Sequence, residues 1–149
     1  MKNMIIRIRK IEERDFPGLI DLFKEFALFE KVPERMMNTV EQMLKEKTHI
    51  NGFVAVNDKD EIMGYVTCFF AYFTWIGKSL YMDDLYVRPA YRGKGVGTLL
   101  INEVIAFAKA ENCKKLHWQV SGWNKPAIGF YESLGATIDP MESNCDLVF

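Results

Sequence analysis

The sequence has little of what several functional classes require. It has only three cysteines, Cys68, Cys113 and Cys145, an odd number without C-x-x-C spacing, so it predicts neither a disulfide framework nor a cysteine metal site. Its two histidines, His49 and His117, are isolated, and no metal is expected. With 19 Lys and Arg against 20 Asp and Glu, the net charge is -1, so we expect no nucleic-acid or membrane partner.

Long apolar runs and leader signals are also missing. No stretch reaches the roughly 18 consecutive apolar residues of a membrane-spanning helix, and no signal peptide precedes the first strand pattern. We therefore expect a cytoplasmic protein with reduced thiols. A hydrophobic content of 49% in 149 residues can build a sizeable core, which predicts a single domain over residues 1–149.

Hydrophobic periodicity and turn signals predict a mixed α/β (α+β) layered sheet. The strands are expected at 5–9, 52–56, 62–73, 79–87, 115–120 and 146–149. The helices are expected from Asp15, as the capping residue, to about Phe29, then at 39–46, from Gly95 to about Glu111, and at 125–134. A turn at residues 57–60 joins the second and third strands, and Gly135 ends the last helix.

The most informative segment is the glycine-rich turn between the fourth strand and the third helix. Gly93, Gly95 and Gly97 allow positive φ and a close approach of the backbone to a ligand. The first amides of the following helix have no intrahelical partner, and the helix dipole favours negative charge there. We therefore expect a phosphate or pyrophosphate ligand at this turn.

The details of this turn exclude two common phosphate sites. A Walker loop needs Ser or Thr after its lysine, whereas Lys94 is followed by Gly95. A dinucleotide fingerprint is G-x-G-x-x-G early in a βαβ unit, whereas this chain has G-x-G-x-G in its second half, after Arg92. The R-G-x-G-x-G pattern resembles the acetyl-CoA pyrophosphate loop of the GCN5-related N-acetyltransferase (GNAT) family.

The resemblance extends to further motifs. Residues 124–136, NKPAIGFYESLGA, resemble the family's fourth-helix motif, and WIGK at 75–78, YMDDLYV at 81–87 and KEFALFE at 24–30 resemble the diamine (spermidine/spermine) and thialysine acetyltransferase branch. This resemblance implies a mostly antiparallel central sheet with helices on both faces and a splayed strand pair that holds acetyl-CoA. It also implies direct transfer of acetyl to a small-molecule primary amine, no metal, and a homodimer.

The resemblance assigns the cosubstrate contacts to three segments. The backbone of Leu85, Tyr86 and Val87 would bind the pantetheine arm like an added strand. The phosphates would lie at Arg92, Gly93, Lys94, Gly95, Val96, Gly97 and Thr98, through side chains or through amides alone. Contacts from the other side of the strand split would come from Asn124, Lys125, Pro126, Ala127 and Tyr131.

Tyr131 is the predicted catalytic residue. The leaving group of acetyl transfer is a thiolate, which needs a positioned acid as it departs. Tyr131 falls where the family has its tyrosine proton donor, and an ordinary tyrosine pKa of about 10 keeps the hydroxyl protonated at neutral pH.

Acceptor binding is assigned to two successive acidic residues and their surroundings. Asp83 and Asp84 would point to opposite faces of a regular strand, unless the strand is bulged as it is in family members. The resemblance puts the substrate carboxylate at Asp83. The other acceptor contacts that it implies are Asp84, Phe29, Glu30, His117, Trp118 and Gln119.

The sequence leaves the acceptor open. Diamine acetyltransferases carry an acidic residue and a tryptophan shortly before the last strand, where this chain reads Ser143-Asn144-Cys145. Part of the polyamine pocket is therefore missing or remodelled, and a diamine, a lysine analogue or an amino acid all fit. The alternatives are a protein or peptide acetyltransferase and a non-catalytic acyl-CoA-binding module. Tyr131 and Asp83 argue against the module, because a sensor needs neither.

Overall fold

The computed structural model describes residues 4–149, in one compact unit that ends at Trp118 and a second unit of Gln119–Phe149. The strands are β1 Arg7–Lys10, β2 Gly52–Val56, β3 Ile62–Phe73, β4 Gly77–Val87 and β5 Leu116–His117. The helices are α1 Phe16–Phe29, α2 Val40–Lys45, α3 Val96–Ala110 and α4 Lys125–Ser133. Short 3₁₀ turns lie at Glu13–Asp15, Pro33–Arg35, Lys47–His49 and Pro89–Tyr91. The single domain expected over residues 1–149 stays a prediction.

The five strands form one mixed sheet in the order β1-β2-β3-β4-β5. All neighbours are antiparallel except β4 and β5, which are parallel. Successive residues of β2 point to opposite faces: Val54 and Val56 pack with Phe16 of α1, whereas the Phe53 ring meets Phe107 of α3 at 5.8 Å. Helices thus cover both faces, and the predicted mixed, mostly antiparallel sheet is confirmed.

The first predicted helix is confirmed, but its predicted cap is wrong. Asp15 does not cap α1 with its side chain. Its carboxylate accepts two hydrogen bonds of 2.8 Å from the Arg9 guanidinium and one of 2.7 Å from the Glu12 amide. Burial opposes its ionisation, but the bonds from Arg9 outweigh that effect and hold the pKa of the Asp15 carboxyl below its ordinary value. A bidentate charge-assisted pair is stronger than a hydrogen bond to a helix-end amide, which explains why the Asp15 carboxylate binds Arg9 instead of capping α1.

Two predicted strands near the C-terminus differ from the structure. The strand predicted at 115–120 is limited to β5, Leu116–His117, because its ladder with β4 contains only two pairs. The strand predicted at 146–149 is wrong, since these residues form no strand and Leu147, Val148 and Phe149 are exposed. Apolar content indicates a surface that packing could bury, but a strand also needs a neighbour for its backbone hydrogen bonds.

Candidate active site

A β-bulge brings the two successive acidic residues of β4 to one cavity. Thr67 of β3 pairs with Asp84 and the next residue, Cys68, pairs with Met82, so Asp83 is an additional residue on β4. The Asp84 amide donates to the Thr67 hydroxyl at 3.2 Å. A regular strand would turn the two carboxylates to opposite faces, whereas the bulge re-aims one of them. The bulge expected from the resemblance is therefore present.

The cavity has a volume of about 670 Å³ and lies entirely within the first unit. Its acidic wall consists of Asp83, Asp84 and Glu30, the residue that follows α1. Apolar side chains of α1, including Phe23 and Phe26, form another wall. The remaining polar lining comes from Arg35, Asn38, His49, Asn51 and Thr67. The cavity thus joins carboxylates to apolar surface, which suits a cation with a hydrocarbon chain.

Burial shifts the protonation of this acidic wall. It raises the pKa of the Asp84 carboxyl from its ordinary value of 3.8 to about 6, and the charges of Asp83 and Glu30 add to the rise. A hydrogen bond of 2.9 Å from the Tyr65 hydroxyl works in the opposite direction. Burial also raises the pKa of Asp83, although this side chain keeps contact with solvent. The pair can therefore bind a cation, and Asp84 can take up a proton near pH 6.

The raised pKa of Asp84 predicts how stability depends on pH. The pKa of the Asp84 carboxyl is about 6 in the folded state, against an ordinary value of 3.8. The protonated carboxyl therefore contributes fully to the stability of the folded state below pH 4, and this contribution is lost as pH rises through 6. In Asp84→Asn the loss cannot occur, so we expect its melting temperature to exceed that of the wild type above pH 7. The difference should shrink toward pH 4, and its limit is about 3 kcal/mol of unfolding free energy.

Thermal melts from pH 4 to pH 8 test this prediction. Asp21→Asn, on the exposed side of α1, is the matched control for the loss of one carboxylate. A difference between Asp84→Asn and the wild type that does not vary with pH would contradict the prediction.

The outer edge of β4 is open beyond its short contact with β5. The two strands pair at Leu80 with Leu116 and at Tyr81 with His117. From Met82 to Val87, no strand among the described residues pairs with this edge. This is the strand split that the resemblance implies at Leu85, Tyr86 and Val87. Its backbone groups, apart from the Val87 carbonyl that accepts from Arg92, can pair with an extended ligand as an added strand would.

The glycine turn before α3 has the geometry of an anion site. Gly93 and Gly95 have φ values of +74° and +84°, and no atom lies within 4 Å of a Cβ built at either position. The first intrahelical bond runs from the Leu99 amide to the Gly95 carbonyl. The amides of the first turn therefore have no intrahelical acceptor. Open space, positive φ and helix-end amides fit a pyrophosphate.

The exposed Arg92 side chain contacts the end of β4 and the end of α1. Its Nε donates to the Val87 carbonyl at 2.8 Å, and the guanidinium lies 4.9 Å from the Phe29 ring and 5.4 Å from the Tyr86 ring. The Lys94 ammonium lies 6.0 Å from the Tyr91 ring. One donor of the Arg92 guanidinium is thus used within the protein, while the Arg92 and Lys94 side chains both remain exposed.

Glu25 of α1 contacts the end of β4 and the residue that follows it. Its carboxylate accepts a 3.0 Å hydrogen bond from the Tyr86 hydroxyl and lies 3.6 Å from the Arg88 guanidinium. The Tyr86 ring stacks on Phe26 at 5.0 Å. These contacts hold the β4 edge and the start of the glycine turn in one arrangement.

The remaining predicted acceptor residues of the first unit lie outside the cavity lining. The Phe29 side chain is partly exposed and faces Arg92. His117 packs between the rings of Phe73 and Tyr81, at 5.4 and 5.3 Å. Burial and the charge of Lys115 lower the pKa of His117. Trp118 is partly buried, and neither it, His117 nor Phe29 lines the cavity.

The second unit carries the fourth-helix motif. Asn124 caps α4, since its side-chain oxygen accepts a 3.4 Å hydrogen bond from the Ala127 amide, and Pro126 lies in the first turn of α4. Tyr131 is on the same helix, with its ring 5.5 Å from that of Phe130. Gln119, one of the predicted acceptor contacts, donates a hydrogen bond to Asn144 in the same unit.

Arg35, Asn38, His49 and Asn51 are cavity residues that the sequence analysis did not identify. They lie in the connections between α1 and β2, where the sequence has no recognisable motif. Their spacing carries no signal, so only the tertiary structure shows that they share a cavity with Asp83.

Within residues 4–149, no cluster of three or more His, Cys, Asp or Glu side chains could hold a metal ion. None of the helices in that range has both the length and the hydropathy to span a bilayer.

Comparisons with known proteins agree with the geometry. The model of the acetyltransferase (GNAT) family matches residues 6–136. The thialysine N-epsilon-acetyltransferase of Mus musculus is 31% identical over 141 residues, which cover 87% of this chain and 83% of the relative. The Caenorhabditis elegans protein of the same name is 36% identical over 118 residues, 78% and 73% of the two chains.

A solved structure shows the same fold. The crystal structure of an aminoglycoside acetyltransferase from an uncultured soil metagenomic sample matches with a TM-score of 0.79 at 20% identity, over 97% of this chain and 96% of that one. The protein is an acyl-transferring enzyme of mixed α/β fold. It belongs to the acetyltransferase (GNAT) family, near the thialysine branch, and acetyl-CoA is the general acyl donor of that family.

Proposed function

We propose that this enzyme moves acetyl from acetyl-CoA to the primary amine of a small molecule, a lysine analogue, an amino acid or a diamine, by direct attack. The observation that carries the proposal is the convergence of Asp83, Asp84 and Glu30 on one cavity beside the open edge of β4. The names of the relatives support the same class of acceptor.

The residues present fit the cosubstrate. The amides from Gly93 to Thr98 would hold the pyrophosphate, and the β4 edge at Leu85, Tyr86 and Val87 would pair with the pantetheine arm. We propose that residues 124–127, at the start of α4, also contact acetyl-CoA. When bound, acetyl-CoA supplies an acetyl thioester, whose carbonyl carbon accepts the amine and whose sulfur leaves.

The acidic wall would prepare the acceptor. A primary amine is mostly protonated near neutral pH, so Asp83 and Asp84 would bind it as an ammonium. The pKa of about 6 at Asp84 lets that carboxylate take up the ammonium proton, directly or through water, and leave a lone pair for attack. A backbone N–H of the β4 edge would stabilise the negative charge on the carbonyl oxygen. The Tyr131 hydroxyl would protonate the departing sulfur.

A thiol-release assay tests the function. With acetyl-CoA and a panel of amines, we expect free CoA to appear with a lysine analogue, an amino acid or a diamine, and mass spectrometry should show one added acetyl group on the amine. Release that occurs only with peptides, or with none of the amines, would contradict the proposal.

We also propose that the protein acts as a homodimer in the cytoplasm. The hairpin of β3 and β4 exposes apolar side chains, Phe69, Phe70, Tyr72, Trp75 and Ile76, and exposed apolar side chains of this kind occur at interfaces. Sedimentation velocity at micromolar concentration should show two copies, and a monomer alone would contradict the dimer.

A further inference from the structure

A buried hydroxyl, that of Tyr65 in β3, contacts the acidic wall of the cavity. Tyr65 pairs with Tyr86 across β3 and β4, so Asp84, two residues before Tyr86, is its diagonal neighbour and lies within reach of a long side chain. The Tyr65 hydroxyl donates a 2.9 Å hydrogen bond to Oδ2 of Asp84. Tyr65 is completely buried and does not line the cavity, so it can act on a ligand only through Asp84.

Packing fixes the Tyr65 ring and therefore the position of its hydroxyl. The ring meets that of Phe23 edge to face at 5.1 Å and that of Tyr86 at 6.3 Å, and it belongs to the same core cluster as Val54 of β2. A phenylalanine would fill this space without the free-energy cost of burying a hydroxyl. Burial and the charge of Asp84 raise the pKa of Tyr65 above its ordinary value of 10, so the hydroxyl keeps its proton and remains a donor.

The Asp84 carboxylate is bound at one oxygen and open at the other. Oδ2 accepts the bond from Tyr65, whereas Oδ1 accepts no hydrogen bond within residues 4–149. Every fully buried side-chain nitrogen or oxygen in that range has a partner, so Oδ1 is not fully buried. Because Asp84 lines the cavity, Oδ1 is the carboxylate oxygen that remains available to a ligand.

We propose that Tyr65 is a positioning residue that holds Oδ2 of Asp84 and thereby directs Oδ1 to the ammonium of the acceptor. This inference rests on the proposed function. In the proton transfer, an N–H bond of the ammonium breaks, an O–H bond forms at Oδ1, and the nitrogen keeps the electron pair with which it attacks. The proton then passes to water before the next turnover. The bond from Tyr65 also stabilises the ionised carboxylate that accepts the proton.

Other charged groups of the cavity act on the same carboxylate. The charges of Asp83 and Glu30 raise the pKa of Asp84, whereas the bond from Tyr65 lowers it. The remaining titratable side chains of the cavity lining are those of Arg35, His49 and Cys68. Tyr65→Phe leaves all of these groups in place, so a change in its pH dependence reports the loss of one hydrogen bond.

The pH profile of Tyr65→Phe tests the inference, because this variant keeps the ring and loses only the donor. Without the bond the ionised carboxylate is less stable, so the acidic limb of kcat/KM for an accepted amine should move up by about one pH unit. Near pH 5, below the limb, this shift corresponds to a fall of about tenfold. KM for the amine should rise, and KM for acetyl-CoA should not change. Tyr72→Phe, which removes an exposed hydroxyl of the same strand, is the matched control and should keep the wild-type profile.

A double-mutant cycle with Asp84→Asn shows whether Tyr65 acts through this carboxylate. In the Asp84→Asn background, Tyr65→Phe should leave the pH profile unchanged. Thermal melts from pH 4 to pH 8 measure the same coupling without turnover, and they also show that each variant is folded. The stability difference between Tyr65→Phe and the double variant should change at a pH about one unit higher than the difference between the wild type and Asp84→Asn.

The outcomes separate this inference from the proposed function. If amines are acetylated but Tyr65→Phe keeps the wild-type pH profile, or its effect is the same with and without the Asp84 carboxylate, Tyr65 is a packing residue and acetyl transfer stands. If the melts show the expected shift but no amine is acetylated, the control of Asp84 by Tyr65 stands and the proposed reaction fails.

Discussion

Replacing Tyr131 with phenylalanine is expected to lower kcat about 100-fold, within the range of about 100-fold to 10,000-fold that is typical of a lost general acid. The substitution removes one hydroxyl and keeps the ring, so acetyl-CoA affinity should change little. Water can protonate part of the departing thiolate, so we expect the fall in kcat at the lower end of this range. Because the contact forms only in the transition state, kcat and kcat/KM should fall together.

Steady-state kinetics with acetyl-CoA and an accepted amine measure this effect. Tyr72→Phe, which removes an exposed hydroxyl of β3, is the matched control and should behave like the wild type. A Tyr131→Phe enzyme within twofold of the wild type would show that thiolate departure does not need this hydroxyl, and Tyr131 would then be a packing residue.

Replacing Gly95 with glutamate is expected to abolish acetyl-CoA binding. The φ of +84° at Gly95 imposes about 1–2 kcal/mol on a residue with a Cβ, and the new carboxylate would lie where the pyrophosphate is proposed to bind. Ligands that bind the folded state raise the melting temperature. Acetyl-CoA and CoA should therefore raise it in the wild type, whereas ATP and NAD should not, and Gly95→Glu should show no shift.

Gly95→Gln separates strain from charge. It imposes the same backbone strain and nearly the same volume without the negative charge, so it should lower acetyl-CoA affinity but retain a measurable shift. If both variants keep the wild-type shift, the glycine turn does not bind the phosphates. If the wild type shows no shift with either CoA species at millimolar concentration, the proposed cosubstrate is wrong.

The directions of the carboxylates in the acidic wall could not be predicted from the sequence. Alternation along β4 gave opposite directions for Asp83 and Asp84, while the resemblance placed the substrate carboxylate at Asp83 and added that family members carry a bulge nearby. The register between β3 and β4 decides the outcome, because Thr67 pairs with Asp84 and Cys68 with Met82. Register depends on residues far apart in the chain, so it cannot be read from the strand itself.

Errors at the helix start and at the C-terminus have related causes. Asp15 has the composition of a capping residue, but Arg9 of β1 offers its carboxylate a stronger partner. The segment 146–149 has the composition of a strand, but no strand pairs with it. Local propensity is a weak predictor where a tertiary partner can compete or is missing.

By itself the sequence determined the glycine turn, α3 behind it and the order of most strands and helices. These depend on local chemistry, since positive φ, helix-end amides and hydrophobic periodicity are properties of short segments. Only the tertiary structure decided that the Arg92 guanidinium lies over the Phe29 ring and that Arg35 shares a cavity with Asp83 and Asp84. Such contacts join segments distant in sequence, and the packing of the sheet and α1 determines which charges meet.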